Sequence, residues 1–297
     1  MKLFLTAIVI LLTSATAWSE NALVLQSDFG NKDAAVASMK GVSVGVSADL
    51  DIYDLTHEIP VFNIWEASLR LVQTADYWPA GTVFVSVVDP GVGTARKSVV
   101  LKTKSGHYFV TPDNGTLTFA AVQLGIDEVR EIDEAVNRLK NSEKSYTFHG
   151  RDVYAYTGAR LAAGVITFEQ VGGKLPAEVI MIPYQEASFE DGTVSGNIPI
   201  LDIQFGNVWT NIDRETFRKL GAEAGDSIDV KVTNGDQTVL QKTLPYVPSF
   251  GAVANGDPLV YLNSLNNVSL AINQGSFAET YSIQSGSEWN IYLSVSE

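Results

Sequence analysis

The 297-residue chain contains no cysteine. That absence removes thiol nucleophiles, thiolate metal sites, redox motifs and disulfide scaffolding together. Histidine is almost as scarce, with His57, His107 and His149 the complete set. Their spacing contains no paired-ligand pattern of the kind zinc requires, so no metal site is expected. Basic residues are heavily outnumbered, 20 Lys and Arg against 34 Asp and Glu, for a net charge of −14. A surface of that sign repels phosphate backbones and anionic lipid, which argues against nucleic acid and membrane surfaces as partners. Glycine-rich GVGTAR lacks the lysine of a phosphate-cradling loop, and no nucleophile elbow is read, so triphosphate chemistry and serine hydrolysis are disfavoured.

Long apolar runs are missing too, outside the N-terminus. There MKLFLTAIVILLTSATAWSE joins a basic start at Lys2, an apolar stretch Leu3 to Leu12 and a small-residue pattern Ala15-Thr16-Ala17. This reads as a signal peptide, residues 1–17, too short to remain as a membrane span. The mature protein is therefore expected to be exported, periplasmic or secreted, and free of the membrane, with a charge one unit more negative once Lys2 is lost.

What the chain has is alternation. ALVLQ reads as a strand, DAAVASMKGV as a helix, DLDIYDL as a strand, NIWEASLRLVQTADYW as a helix and GTVFVSVV as a nearly continuous apolar strand. That order implies a largely parallel sheet covered on both faces. A hairpin turning at Ser105-Gly106 follows, then a helix at TLTFAAVQL, a short strand near VREI and a helical run RDVYAYTGARLAAGVI. Beyond Gly173 the texture becomes short alternating strands with Asp-Gly, Asn-Gly and Gly-Asp turns. The fold class is α/β: an N-terminal α/β domain over residues 18–184 and a smaller all-β, barrel-like C-terminal domain over residues 185–297.

In an open parallel sheet, ligands bind beyond the carboxyl ends of the strands. Asp28 follows LVLQS there, Asp54 and His57 follow LDIY, and Asp89 follows VFVSVV. An isolated aspartate in such a place is commonly a turn former or helix cap. Asp28 is either a cap for the following helix or a carboxylate for the vicinal hydroxyls of a ribose. Asp89 precedes Pro90, Gly91 and Gly93, a tight turn able to return Arg96 towards it, and His149 sits at the mouth of a helix. In the second domain Asp202 and Asn207 stand beside strand-like residues.

Taken together, SDFGNKD with MKGV, DLTHEIP, VVDPGVGTAR, PDNGTL, FHGRDV, FGNVWTNI and SLAINQGSFAE resemble the S-adenosylmethionine hydroxide adenosyltransferases, relatives of the adenosyl halogenases. The motifs run in family order over nearly all of the mature chain. The resemblance implies an α/β domain with a smaller β-barrel-like domain, a homotrimer with active sites between subunits, and no cofactor. It implies displacement of methionine from C5′ of S-adenosylmethionine by water or hydroxide, giving adenosine and L-methionine. By motif matching, Asp89, Arg96 and His149 correspond to the water-activating triad, with the proton expected to pass in part to His149. Asp28 corresponds to the ribose carboxylate, Asp202 and Asn207 to contacts with the methionine and adenine ends, and Phe250 and Ser264 to further substrate contacts.

Two alternatives stand beside hydrolysis: a halide-using adenosyl transferase, and an exported binding protein for adenosine or S-adenosylmethionine without turnover. An acidic Asp89 repels a halide nucleophile, and an unbroken triad is more than a binder needs. S-adenosylmethionine is made in the cytoplasm, so an exported enzyme would meet only what leaves it.

Overall fold

A computed structural model describes residues 21–296. The signal-peptide reading of residues 1–17 lies outside them. The N-terminal half runs β1 (Leu23–Ser27), α1 (Ala35–Val46), β2 (Ile52–Thr56), α2 (Ile64–Gln73), β3 (Val83–Val87), β4 (Ser98–Thr103), β5 (Tyr108–Pro112), α3 (Thr118–Leu124) and β6 (Ile126–Glu131). The strands form one sheet in the order β2-β1-β3-β5-β4-β6. Strands β2, β1, β3 and β5 are mutually parallel, while β4 runs antiparallel to both its neighbours. The expected α/β architecture with a largely parallel sheet is thus present.

Side chains alternate across this sheet as the two-residue strand period requires. Leu23, Leu25, Val83 and Val85 pack on one face with Met39 of α1 and with Val153 and Ala159. Val24, Phe84, Leu101 and Phe109 pack on the other with Trp65 and Leu71 of α2 and Phe119 of α3. Both faces are covered, which is why β1 and β3 read as largely apolar runs. The helical run expected from Arg151 onward divides in two. Gly150–Ala155 is wound as a π-helical turn, and a regular helix, α4 (Tyr156–Ala162), follows it. A widened turn of this kind is characteristic of functional sites.

The C-terminal half contains β7 (Ser188–Glu190), β8 (Thr193–Asn197), β9 (Ile200–Asp202), β10 (Asn207–Asp213), α5 (Arg214–Arg218), β11 (Ser227–Asn234), β12 (Gln237–Pro245), β13 (Pro258–Leu262), β14 (Asn267–Ile272), α6 (Phe277–Thr280) and β15 (Trp289–Val295). Two antiparallel sheets, β13-β14-β10-β9 and β12-β11-β15-β8-β7, enclose one core built from Val208, Leu270, Val230 and Ile291 among others. The two halves are joined by packing. Ile200 and Trp209 belong to the same cluster as α2 and α3. The Trp65 indole N–H donates to Pro199 O at 2.7 Å, and the Arg70 guanidinium to Leu201 O at 3.1 Å.

Candidate active site

Four parallel strands end on one edge of the sheet, and antiparallel β4 begins there, with Ser98 opposite Pro112 at the end of β5. Residues after β1, β2 and β3 and residues before β4 therefore converge. Asp89 leaves β3 at this edge and Arg96 enters β4 at it. Between them Val92 N–H donates to Asp89 O, and Thr94 N–H and Oγ both donate to Gly91 O. Gly93 sits at φ +77°, a left-handed conformation that costs other residues energy. The Asn114 amide fixes the outgoing strand by donating to Val88 O at 2.9 Å.

The turn delivers the contact expected from the sequence. Arg96 Nε donates to Asp89 Oδ1 at 2.9 Å and to Oδ2 at 3.1 Å, and Nη2 donates to Oδ2 at 2.5 Å. Side-chain exposure is 11% for Arg96 and 5% for Asp89. Burial works against the Arg96 charge, but the Asp89 carboxylate outweighs it and holds the guanidinium above its ordinary value. Arg96 Nη2 also lies 2.9 Å from His149 Nδ1. A guanidinium only donates, so Nδ1 is an acceptor and the ring proton resides on Nε2. Burial, with the charge of Arg96 and Arg138, depresses the His149 imidazole against the pull of Glu134 and Asp89. His149 Nε2 is buried and makes no hydrogen bond among the described residues.

Behind the triad, Ser98 accepts from Arg96 Nη1 at 3.0 Å and pairs with the buried Tyr154 hydroxyl at 3.1 Å. Burial, then the Asp89 charge, keeps that phenol protonated by raising it. Neither residue was singled out from sequence. Tyr154 belongs to the π-helical turn that follows His149, and its distance along the chain conceals its role.

Asp28 follows β1 and is not a helix cap. Helix α1 opens at Ala35, whose N–H bonds Asp33, while Asp28 Oδ2 accepts from Phe62 N–H at 2.9 Å. Its carboxylate is half-buried at the same sheet edge. Burial of Asp54 is offset by Lys40 and His57, which together hold its carboxyl below the ordinary value.

Asp202, Asn207, Phe250 and Ser264 line a different cavity, of about 740 Å³, in the C-terminal half. Asn207 Nδ2 donates to Asp202 Oδ2 at 3.0 Å across the β9–β10 turn. Gly206 closes that turn at φ +68°, and a Cβ there would meet Ser276 Oγ at 2.0 Å. Phe250 leans on Tyr261 with ring centroids 4.9 Å apart. Trp209, Tyr261 and Asn263 also line the cavity and went unnoticed in the sequence. Two-residue alternation from Asn207 along β10 points at Trp209 and was the available signal. Asp28, Asp89, Arg96 and His149 are not among the lining residues. Asp202, Asn207, Phe250 and Ser264 thus share one cavity, while Asp89, Arg96 and His149 are joined to one another by direct contacts elsewhere.

A serine pentapeptide of elbow spelling, Gly41-Val42-Ser43-Val44-Gly45, does occur, contrary to the reading that found none. It lies inside α1, where Ser43 is buried and donates to Met39 O at 2.9 Å, so it presents no nucleophile.

Comparison with known proteins identifies two matching family models. Residues 23–172 match the SAM hydroxide adenosyltransferase N-terminal domain and residues 196–290 the SAM hydroxide adenosyltransferase C-terminal domain. An (R)-S-adenosyl-L-methionine hydrolase of Methanocaldococcus jannaschii is 35% identical over 265 residues, 86% of each chain. A fluorinase of Actinopolyspora mzabensis is 29% identical over 295 residues, 91% of this chain and 96% of that one. A crystal structure of an uncharacterized conserved protein from Thermotoga maritima superposes with a TM-score of 0.83 at 36% identity, covering 92% of this chain and 99% of the other. These matches correct the expected localisation. The hydrolase relatives are named for a compound made in the cytoplasm, and the segment from which export was read lies outside the described residues. The reading of an exported, periplasmic or secreted protein is withdrawn.

Proposed function

Because the chain belongs to the SAM hydroxide adenosyltransferase family, we propose that it hydrolyses S-adenosylmethionine to adenosine and L-methionine, with a water oxygen attacking C5′ in line with the sulfur. The observation that carries this reading is the Asp89–Arg96–His149 cluster. Relatives include both hydrolase and fluorinase names, and the carboxylate is what separates the two chemistries here. An anion at that point repels halide and attracts the protons of water.

The reaction forms the O–C5′ bond and breaks C5′–S. The C–S electron pair stays on sulfur, which turns from sulfonium to neutral thioether, and the water loses one proton. His149 Nδ1 is occupied by Arg96, so the proton transfer first expected towards His149 gives way to another division of labour. Asp89 accepts the proton, Arg96 aims Asp89 through its paired hydrogen bonds, and His149 donates Nε2–H to the oxygen and holds it in line. The dry surroundings disfavour the charged sulfonium ground state more than the neutral products.

Asp28 is proposed to bind the ribose diol, with Asp202, Asn207, Phe250 and Ser264 recognising the adenine and methionine ends. Because no single cavity among the described residues is lined by both the triad and these four residues, a neighbouring copy is proposed to complete the site in a homotrimer. Apolar side chains left in solvent support this: Val61 and Phe62 beside Asp28, and Ile203 and Phe205 beside Asp202, are 65–71% exposed. Light scattering on the purified protein is expected to give three times the chain mass; a monomer would refute the shared site.

Incubation with S-adenosylmethionine in ¹⁸O-water is expected to give adenosine labelled at the 5′-hydroxyl, read by chromatography and mass spectrometry. Unlabelled adenosine, or halo-adenosine formed in excess chloride or fluoride, would sink the hydrolytic reading.

A further inference from the structure

Behind the loop that carries Asp28, four side chains from three parts of the chain are joined in series. Lys40 Nζ of α1 donates to Asp54 Oδ2 at 2.6 Å. Asp54 Oδ1 lies 3.0 Å from His57 Nε2, and His57 Nδ1 lies 2.7 Å from Ser27 Oγ. The carboxylate fixes a proton on Nε2. Ser27 Oγ in turn accepts from Phe29 N–H at 3.3 Å, and His57 O accepts from Gly30 N–H at 2.7 Å.

The Ser–His–Asp order is that of a nucleophile triad, but Ser27 is 0% exposed and cannot meet a substrate. The series is instead tied to the backbone flanking Asp28 at two points, Phe29 N–H on Ser27 Oγ and Gly30 N–H on His57 O. His57, 2% exposed, holds the residue before Asp28 through its ring and the residue two places after it through its carbonyl. The intervening Phe29 packs edge-on against Phe148, with centroids 5.6 Å apart. It also lies so close to Gly150 that a Cβ there would stand 3.1 Å from its ring. Phe148 and Gly150 are the neighbours of His149. One buried imidazole therefore braces a loop that touches both the Asp28 carboxylate and the turn bearing His149.

We infer that His57 is a positioning residue: through Ser27 and Gly30 it fixes the direction of the Asp28 carboxylate towards the ribose diol, and through Phe29 the seat of the His149 turn. This rests on the reading of Asp28 as the ribose carboxylate. Burying an imidazole and a serine is tolerable because each is fully bonded, and it makes the loop stiff at the point where a carboxylate must be held against water.

The test is calorimetric titration of the full-length protein with adenosine and with 2′,3′-dideoxyadenosine, which lacks the diol. The wild type is expected to prefer adenosine. His57→Ala and Ser27→Ala are each expected to cut that preference about tenfold or more, the effect of misaiming one hydrogen bond to a charged group. Ser27→Thr, which keeps the hydroxyl, retains it, and Asp28→Ala with His57→Ala loses no more than Asp28→Ala alone. Should His57→Ala fail to fold, Ser27→Ala and Ser27→Thr decide. A wild type indifferent to the diol overturns the role of Asp28 and the inference with it. A wild type that discriminates, with variants that discriminate equally well while melting at lower temperature, overturns the inference alone and leaves His57 a purely structural residue.

Discussion

Arg96 Nη2 serves two partners at once, Asp89 Oδ2 at 2.5 Å and His149 Nδ1 at 2.9 Å. A lysine ammonium on a flexible stem cannot reproduce that planar fork. Arg96→Lys is therefore expected to lower kcat by about 10²-fold or more, the scale of losing an aligned proton-transfer geometry. Adenosine release measured beside an unchanged circular dichroism spectrum checks it. A variant within a few-fold of wild type would remove the shared nitrogen from the mechanism.

His149 gives the protein an acid-side weakness. Its folded imidazole is held below the ordinary 6.5, first by burial. Between that lowered value and 6.5 the unfolded chain takes up a proton that the folded one declines, so stability is complete above the window and falls as pH drops through it. Urea midpoints are expected to decline from pH 7.5 to pH 5.5, and to decline less in His149→Gln. Turnover should show an acid limb in the same direction, since a proton on Nδ1 would face the Arg96 donor.

Much of the sheet was legible because both its faces are buried. Nearly continuous apolar runs at Leu23–Leu25 and Val83–Val87 admit few other readings, and Gly91 and Gly93 after Asp89 announce a return of the chain to the same edge. Distance along the sequence hid the rest. Nothing local says that Tyr154 lies behind Arg96, that His57 reaches Ser27, or that Trp209 shares a cavity with Asn207, because sheet order and sheet-to-sheet packing bring those pairs together. The π-helical winding after His149 was equally hidden, since Arg151 to Ala162 has ordinary helical periodicity.

Gly93 and Gly91 separate conformation from space within one turn. Gly93 has φ +77°, and a Cβ on it would stand 3.1 Å from Tyr146 O, a backbone atom with little room to move. Gly91 lies outside the left-handed region, and its nearest neighbour, Arg96 Cγ at 3.3 Å, belongs to a side chain. Gly93→Ala is expected to cost about 1–2 kcal/mol in urea unfolding, with activity falling alongside because the turn aims Arg96. Gly91→Ala should cost less. Equal losses would show that crowding, not backbone handedness, governs the turn.

The path from α2 to Asp202 makes binding separable from chemistry. Trp65 Nε1 donates to Pro199 O and Arg70 to Leu201 O, so the short β9 hangs from α2 by a bond on either side of Ile200. Trp65→Phe keeps an aromatic ring against Phe119 and Tyr184 but leaves the Pro199 carbonyl without its donor, at a cost of about 1–3 kcal/mol. On the proposed role of Asp202, slackening β9 disturbs recognition of the substrate's end but not the triad on the other half of the chain. KM for S-adenosylmethionine is therefore expected to rise several-fold while kcat stays near wild type. Arg70→Met should act in the same direction. Because both bonds restrain one three-residue strand, the double variant should fall short of the sum of the two effects. Steady-state adenosine release across substrate concentration decides the matter. A fall in kcat with KM unchanged would mean that β9 supports the reacting geometry and not the binding end.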